Sequence, residues 1–270
     1  VEIKKQLIQD YTISTDVEWF LRNKNSGEIV SAEGIIKGTK HEPFRFDEND
    51  KLFATSLDCV LAEGNCGLAR TPLEFFNVIE KLRNYINSTL PQELETLAIP
   101  AAELDDKYLQ TEVSRTYGCD PSLNCWTDEE VIPKPDGSRW RSAGFHIHTG
   151  YDSPNKEVNR DLARAMDLFL GIPSVLLEPT NQRKKVGYGH AGNYRHQPHG
   201  FEYRSLSSHF SSGKNLIEWC FRGSERAIAY VNSREVERIY DMGELIQQTI
   251  NYEDKALAEM ICKDFGIELA

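Results

Sequence analysis

Three segments of the chain alternate apolar with functional side chains, and each sets two chemically capable groups two residues apart: Asp16-Val17-Glu18, His146-Ile147-His148 and Glu202-Tyr203-Arg204. Side chains at i and i+2 share one face of a β-strand, so each pair is co-facial if its segment is extended. The other face reads apolar or bulky: Ile13, Val17, Trp19 and Leu21 in the first segment, Phe145 and Ile147 in the second, Phe201 and Tyr203 in the third. Strands of this kind rest one face on a core and line a cavity with the other. Acids, imidazoles and a guanidinium sharing such a face suggest a metal and phosphate site.

The rest of the chain supplies what such a sheet needs. At 270 residues it is long enough to bury a large core. Its 31 basic against 42 acidic residues give a net charge of −11, which disfavours non-specific binding to nucleic acid or a membrane surface. The cluster Arg183, Lys184, Lys185 stands out against that background as a local basic site. Six cysteines, at 59, 66, 119, 125, 220 and 262, lack the CxxC spacing of structural zinc or redox sites and read as reduced thiols, although Cys119-x5-Cys125 has the spacing to close a disulfide. Nothing near Val1 resembles a signal peptide, and no apolar run approaches the roughly 20 residues of a membrane span. A cytoplasmic protein without nucleic-acid or membrane partners is expected.

The chain reads as a single domain over 1–270. Thr12 to Leu21 alternates, Asn23 to Gly27 is turn chemistry and Glu28 to Ile36 is β-rich, so the opening predicts a hairpin. Residues 41–50 are polar and read as loop, and Leu57 to Asn65 reads as one strand with Glu63 and Asn65 two apart. Thr71-Pro72 predicts a helix start, with Phe75, Val78, Ile79, Leu82 and Ile86 at helical spacing. The stretch from about 91 to 139 is irregular, with turn signals at 117–121 and 133–138, and is a candidate substrate lid. Glu157 to Leu170 predicts an amphipathic helix closed by Gly171. Residues 180–200 are turn-like, and about 214–268 is helical, with Ser233 as a cap and a last helix from Asp254 to Phe265.

Taken singly, each pair has two readings. Asp16 and Glu18, about 7 Å apart along a strand, repel unless a cation lies between them, which fits a hard cation such as Mg²⁺ or a solvated strand face. His146-x-His148 lies between Gly144 and Gly150, glycines that let a nucleotide approach the backbone. A His-x-His pair also opens zinc hydrolase sites. Glu202-x-Arg204 forms either a structural cross-strand pair or a fork for phosphate oxygens. Upstream, Gly187-Tyr188-Gly189-His190-Ala191-Gly192-Asn193-Tyr194-Arg195 is glycine-rich but lacks the Gly-Lys-Ser/Thr ending of a P-loop.

The order of these pieces carries more than any one of them. Thr15 to Leu21, Ile29 to Gly34, Gly118-Cys119-Asp120-Pro121, Ser142 to Tyr151, Asp167 to Leu177 and Gly189 to Ser207 together resemble the phage-type carboxylate-amine ligases, the COOH-NH2 ligase type 2 amidoligases of the glutamine synthetase-like superfamily. The resemblance implies an α+β fold: a curved antiparallel sheet backed by helices, like the glutamine synthetase catalytic domain, with ATP and two or three Mg²⁺ ions over its concave face. It assigns Asp16, Glu18, Glu63, His146 and Glu202 to the metals and His148 to ATP. Arg204 resembles the arginine that steadies the transferred phosphate, and Arg195 a further phosphate contact. Lys185 is a candidate nucleotide contact beside the glycine-rich run. Asp16 stands where glutamine synthetase has a glutamate, one methylene longer, and the separate N-terminal domain of that enzyme is missing.

The implied activity is ATP-dependent joining of a small-molecule or peptide carboxylate to an amine through an acyl phosphate. Three alternatives stand beside it: a phosphotransferase of guanidino-kinase type on the same fold, a metallohydrolase built on His146 and His148, and a catalytically silent nucleotide-binding or capsid-associated protein. No residue pattern names the substrates, the base that deprotonates the amine or the oligomeric state.

Overall fold

In the computed structural model, which describes residues 7–115, 121–132, 138–180 and 182–270, the longest alternating segment becomes the axis of a large sheet. The strands are β1 (Thr12–Asn23), β2 (Ile29–Val30), β3 (Phe44–Arg45), β4 (Ala54–Asp58), β5 (Leu61–Asn65), β6 (Leu94–Leu97), β7 (Ala101–Glu103), β8 (Ser122–Asn124), β9 (Glu130–Val131), β10 (Trp140–Ser142), β11 (Phe145–Gly150), β12 (Asn193–Gln197) and β13 (Gly200–Tyr203). The main path runs β3-β4-β5-β1-β11-β13-β12-β8-β9, with β2 and β6 also on β1, and β7 pairs β10 separately. The pairings along this path are antiparallel.

The helices are α1 (Pro72–Thr89), α2 (Glu112–Arg115), α3 (Lys156–Met166), α4 (Ile172–Leu177), α5 (Gln182–Lys185), α6 (Lys214–Ser233), α7 (Glu237–Asp241), α8 (Gly243–Tyr252) and α9 (Lys255–Asp264). As its sequence predicts, α1 starts at Pro72 with Thr71 as N-cap, the Thr71 side chain accepting from the Glu74 N–H. Its buried face, Phe75, Ile79, Leu82 and Ile86, packs in one core with Ile13, Val17 and Trp19 of β1, Phe145 and Ile147 of β11, and Phe201 and Tyr203 of β13. The Phe75 ring lies 6.1 Å from that of Phe145 and 5.8 Å from that of Phe221 in α6, so the helices cover the apolar face. Each such fully buried side chain stabilises by roughly 1.5–3 kcal/mol. The opposite face carries the acids and histidines. The fold is therefore α+β with a large open antiparallel sheet.

Several local expectations change. Leu57 to Asn65 is two strands joined at Cys59-Val60, with Cys59 in the left-handed region at φ 55°. The second strand of the opening hairpin is only Ile29–Val30, and 41–50 contains the short β3. Gly171 does not end a helix: α3 passes through a π-helical turn over Asp167–Gly171 into α4. A Cβ on Gly171 would meet the Tyr203 hydroxyl at 2.9 Å and Ile250 at 2.7 Å, so this glycine serves close packing. Ser233 ends α6 rather than capping the next helix, and Arg234 follows in the left-handed region.

The last helix matches its predicted limits, with Asp254 capping the Leu257 N–H. The irregular stretch 91–139 contributes β6, β8 and β9 to the main sheet. Its turn signals at 117–120 and 133–137, the motif residues 118–120 and Cys119 lie outside the described residues. Cys125, Cys59, Cys66, Cys220 and Cys262 are buried free thiols. No helix among the described residues is long and apolar enough to cross a membrane.

Candidate active site

Register brings the strand pairs together. Asp16 stands opposite His146, Glu18 opposite Glu63, His148 opposite Glu202 and Glu202 opposite Arg195. Five adjacent strands thus present their polar positions in one patch, and Arg204, directly after β13, extends it by donating its N–H to the Asn193 carbonyl at 2.9 Å.

At the centre, His146 Nδ1 lies 2.6 Å from Asp16 Oδ1 and 3.8 Å from Glu202 Oε1, while His148 Nε2 lies 3.3 Å from Asp16 Oδ2. Arg204 ion-pairs with Glu202 and lies 3.4 Å from His146 Nδ1. Arg195 reaches the same Glu202 oxygen at 3.5 Å, and Gln197 donates to the other at 2.6 Å. Burial works against the Asp16 carboxylate, but the two imidazoles outweigh it and hold its pKa well below the usual range. Burial likewise penalises Glu202, and the Arg204 charge overrides it, so its pKa is lowered. For His148 burial disfavours the cation, yet Asp16 raises its pKa.

Beside this group stands a second. Glu18, Asp58 and Glu63 offer ligand atoms within 4.8 Å of one another, as do Asp16, His148 and Glu202 in the first group. Glu18 accepts from the Gly144 N–H, and a Cβ on Gly144 would strike His146 Nε2 at 2.5 Å, so the bare backbone here lets acid and imidazole share the space. The Ser56 hydroxyl donates to Glu63 at 2.8 Å. Burial, then the Glu18 charge, pushes Asp58 up to about 7, and burial, then the Asp58 charge, pushes Glu63 well above the usual range.

The donor chemistry of both groups fits divalent cations. Carboxylate oxygens predominate, as hard cations require, and three crowded carboxylates are stabilised only by added positive charge. In the first group, Asp16 is already engaged by His146 and His148, so a cation there would take over contacts that the protein now makes itself.

All the acids and histidines expected from the sequence lie in this patch. The geometry places His148 in the ligand-capable group with Asp16 and Glu202, and sets His146 between Asp16 and Arg204. Lys185 is exposed at the end of α5. Its neighbour Arg183 is buried, donating to Ser142 Oγ at 3.0 Å and to the Ser205 carbonyl at 2.6 Å, behind Arg204. Sequence reasoning missed Asp58: on one continuous strand it lies on the face opposite Glu63, and only the tight hairpin at Cys59-Val60 folds it back. That turn carries no Gly, Pro or Asn to signal it.

A cavity of about 430 Å³ adjoins the first group, lined among others by Ser14, His148, Gly150 and His199, with Leu52 and Leu68 as apolar walls and Arg45 and Lys51 as cations.

Residues 138–218 match the sequence model of the family described as Phage phiEco32-like COOH.NH2 ligase-type 2. The match supports the amidoligase resemblance. Its segment holds both histidines, Arg195, Glu202 and Arg204; Asp16, Glu18, Asp58 and Glu63 lie outside it and join by strand pairing. No curated protein matches the sequence.

Proposed function

We propose that the chain is an ATP- and Mg²⁺-dependent carboxylate-amine ligase that forms an amide or peptide bond through an acyl phosphate, on a sheet of the glutamine synthetase catalytic type. The observation that carries this reading is the pairing of two cation-suited acid groups with Arg204 and Arg195 on one sheet face, within the segment and register that the ligase family match adjoins.

Asp16, His148 and Glu202 would hold one Mg²⁺ and Glu18, Asp58 and Glu63 another. Bound Mg²⁺-ATP supplies the phosphoryl group that turns a carboxylate oxygen into a leaving group. The chain's own work is positioning and charge neutralisation, which suits phosphoryl transfer without a protein nucleophile. Glu202 orients the Arg204 and Arg195 guanidiniums toward the patch, where they offset the charge that gathers as two anions approach. The 430 Å³ cavity beside His148, with apolar walls and cationic rim, suits the nucleotide's base and phosphates.

Amine-dependent ADP release with an amide product tests the reading. Glu18→Ala and Glu202→Ala should each abolish it in folded protein, and unchanged ATP consumption in both variants refutes the site.

A further inference from the structure

Directly behind the patch, the residue between Glu202 and Arg204 points the other way. The Tyr203 hydroxyl donates to Asp167 Oδ1 at 2.7 Å, and the Trp126 indole N–H donates to Asp167 Oδ2 at 2.7 Å. Asp167 is fully buried at the start of the π-helical turn, a departure from α-geometry that frequently marks a functional position. Three glycines clear the space for this chain of contacts. A Cβ on Gly171 would meet the Tyr203 hydroxyl at 2.9 Å, one on Gly192 would meet Trp126 at 2.7 Å, and one on Gly243 would meet the same indole at 2.8 Å. Arg164 lies over the indole at 5.5 Å from the ring centre.

Trp126 belongs to the turn between β8 and β9, the hairpin at the far edge of the sheet, two strands away from β13. A buried carboxylate that accepts from both ends of such a path has little freedom, because losing either donor leaves an uncompensated polar group in the core. We propose that Trp126, Asp167 and Tyr203 form a positioning relay that ties the β8–β9 hairpin to β13 from behind, so that the seating of the hairpin sets where Glu202 and Arg204 stand. Asp167 is the positioning residue and acts through Tyr203. The consequence for turnover rests on the ligase reading; the effect on side-chain position does not.

The test uses the full chain with Tyr203→Phe, which keeps the ring and removes the donor, together with Trp126→Phe and Asp167→Asn. The imidazole resonances of His146 and His148, which contact Asp16, Glu202 and Arg204, are compared with wild type by NMR. They are expected to move in every variant, most in Tyr203→Phe and least in Asp167→Asn, whose amide can turn its oxygen to the donor-only indole and its NH2 to the Tyr203 hydroxyl, which also accepts. ADP release should fall about tenfold in kcat with KM for Mg²⁺-ATP changed less than about twofold, as misplacement rather than lost binding requires. Imidazole resonances that coincide with wild type in the variants overturn the relay, whatever happens to turnover. A wild-type protein without ADP release overturns the ligase reading instead, and the imidazole comparison still decides the relay.

Discussion

The two acid groups on the polar face are made of similar side chains and stand side by side, yet the protein neutralises one of them far more fully than the other. Asp16 and Glu202 have His146, His148, Arg204 and Arg195 as partners, and their pKa values are lowered despite burial. Glu18, Asp58 and Glu63 face one another with a serine and a backbone N–H as hydrogen-bond partners, and at Asp58 the Lys40 and Arg204 charges do not offset the burial and mutual repulsion that raise Asp58 and Glu63. The first group is a structural ion cluster that also offers ligands; the second is held together only at a cost. An external cation therefore has most to gain at the second group, while breaking the protein's own pairing matters most at the first.

Removing the shared anion of the first group should have the largest effect. Glu202→Ala leaves Arg204 and Arg195 without their buried partner and is expected to cost about 3–5 kcal/mol in denaturant unfolding, besides abolishing turnover. A loss below about 1 kcal/mol would make the cluster an ordinary exposed pair. The second group should show itself in pH dependence. Asp58 keeps its proton up to about pH 7 in the fold and releases it near 4 when unfolded. Between those values the folded state binds more protons, so cation-free protein loses stability as pH rises through the window, by about 1.4 kcal/mol per pH unit at most for one such group. Asp58→Asn or millimolar Mg²⁺ should reduce that slope in thermal melts, with Asp167, which burial also pushes up to about 7, carrying part of what remains; a slope unchanged by both places its origin elsewhere.

A smaller effect of opposite sign to the first is expected from Glu63→Gln. It relieves repulsion across the Glu18–Glu63 pair while keeping an acceptor for Ser56, and should stabilise cation-free protein at pH 8 by about 1 kcal/mol. Its gain should vanish when Mg²⁺ is added. Smallest is Ser56→Ala, which removes the hydrogen bond to Glu63 and should cost about 0.5–1 kcal/mol. Destabilisation by Glu63→Gln as large as that by Glu202→Ala would erase the contrast between the groups.

The contrast also separates what the sequence makes legible from what it hides. Period-two alternation revealed the three pairs because one face of each strand is buried, and antiparallel register then carried Asp16 to His146 and His148 to Glu202. Asp58 stayed hidden because its hairpin turns on Cys59 and Val60, buried residues with no turn chemistry. Burial also divides the basic run: Arg183 packs behind Arg204 while Lys185 faces solvent, a difference that charge alone does not encode. Asp167 reads as an ordinary helix residue, since the π-turn that aims it at Tyr203 depends on tertiary packing.

Whether the patch joins a carboxylate to an amine at the expense of ATP is decided by product analysis. Wild-type protein is incubated with Mg²⁺-ATP and pairs of amino acids or peptides, the carboxylate labelled with ¹⁸O, and the products are resolved by mass spectrometry. One amide per ADP is expected, with one label transferred to the released phosphate. A stable phosphorylated acceptor that ignores the amine, or hydrolysis that proceeds without ATP, would contradict it.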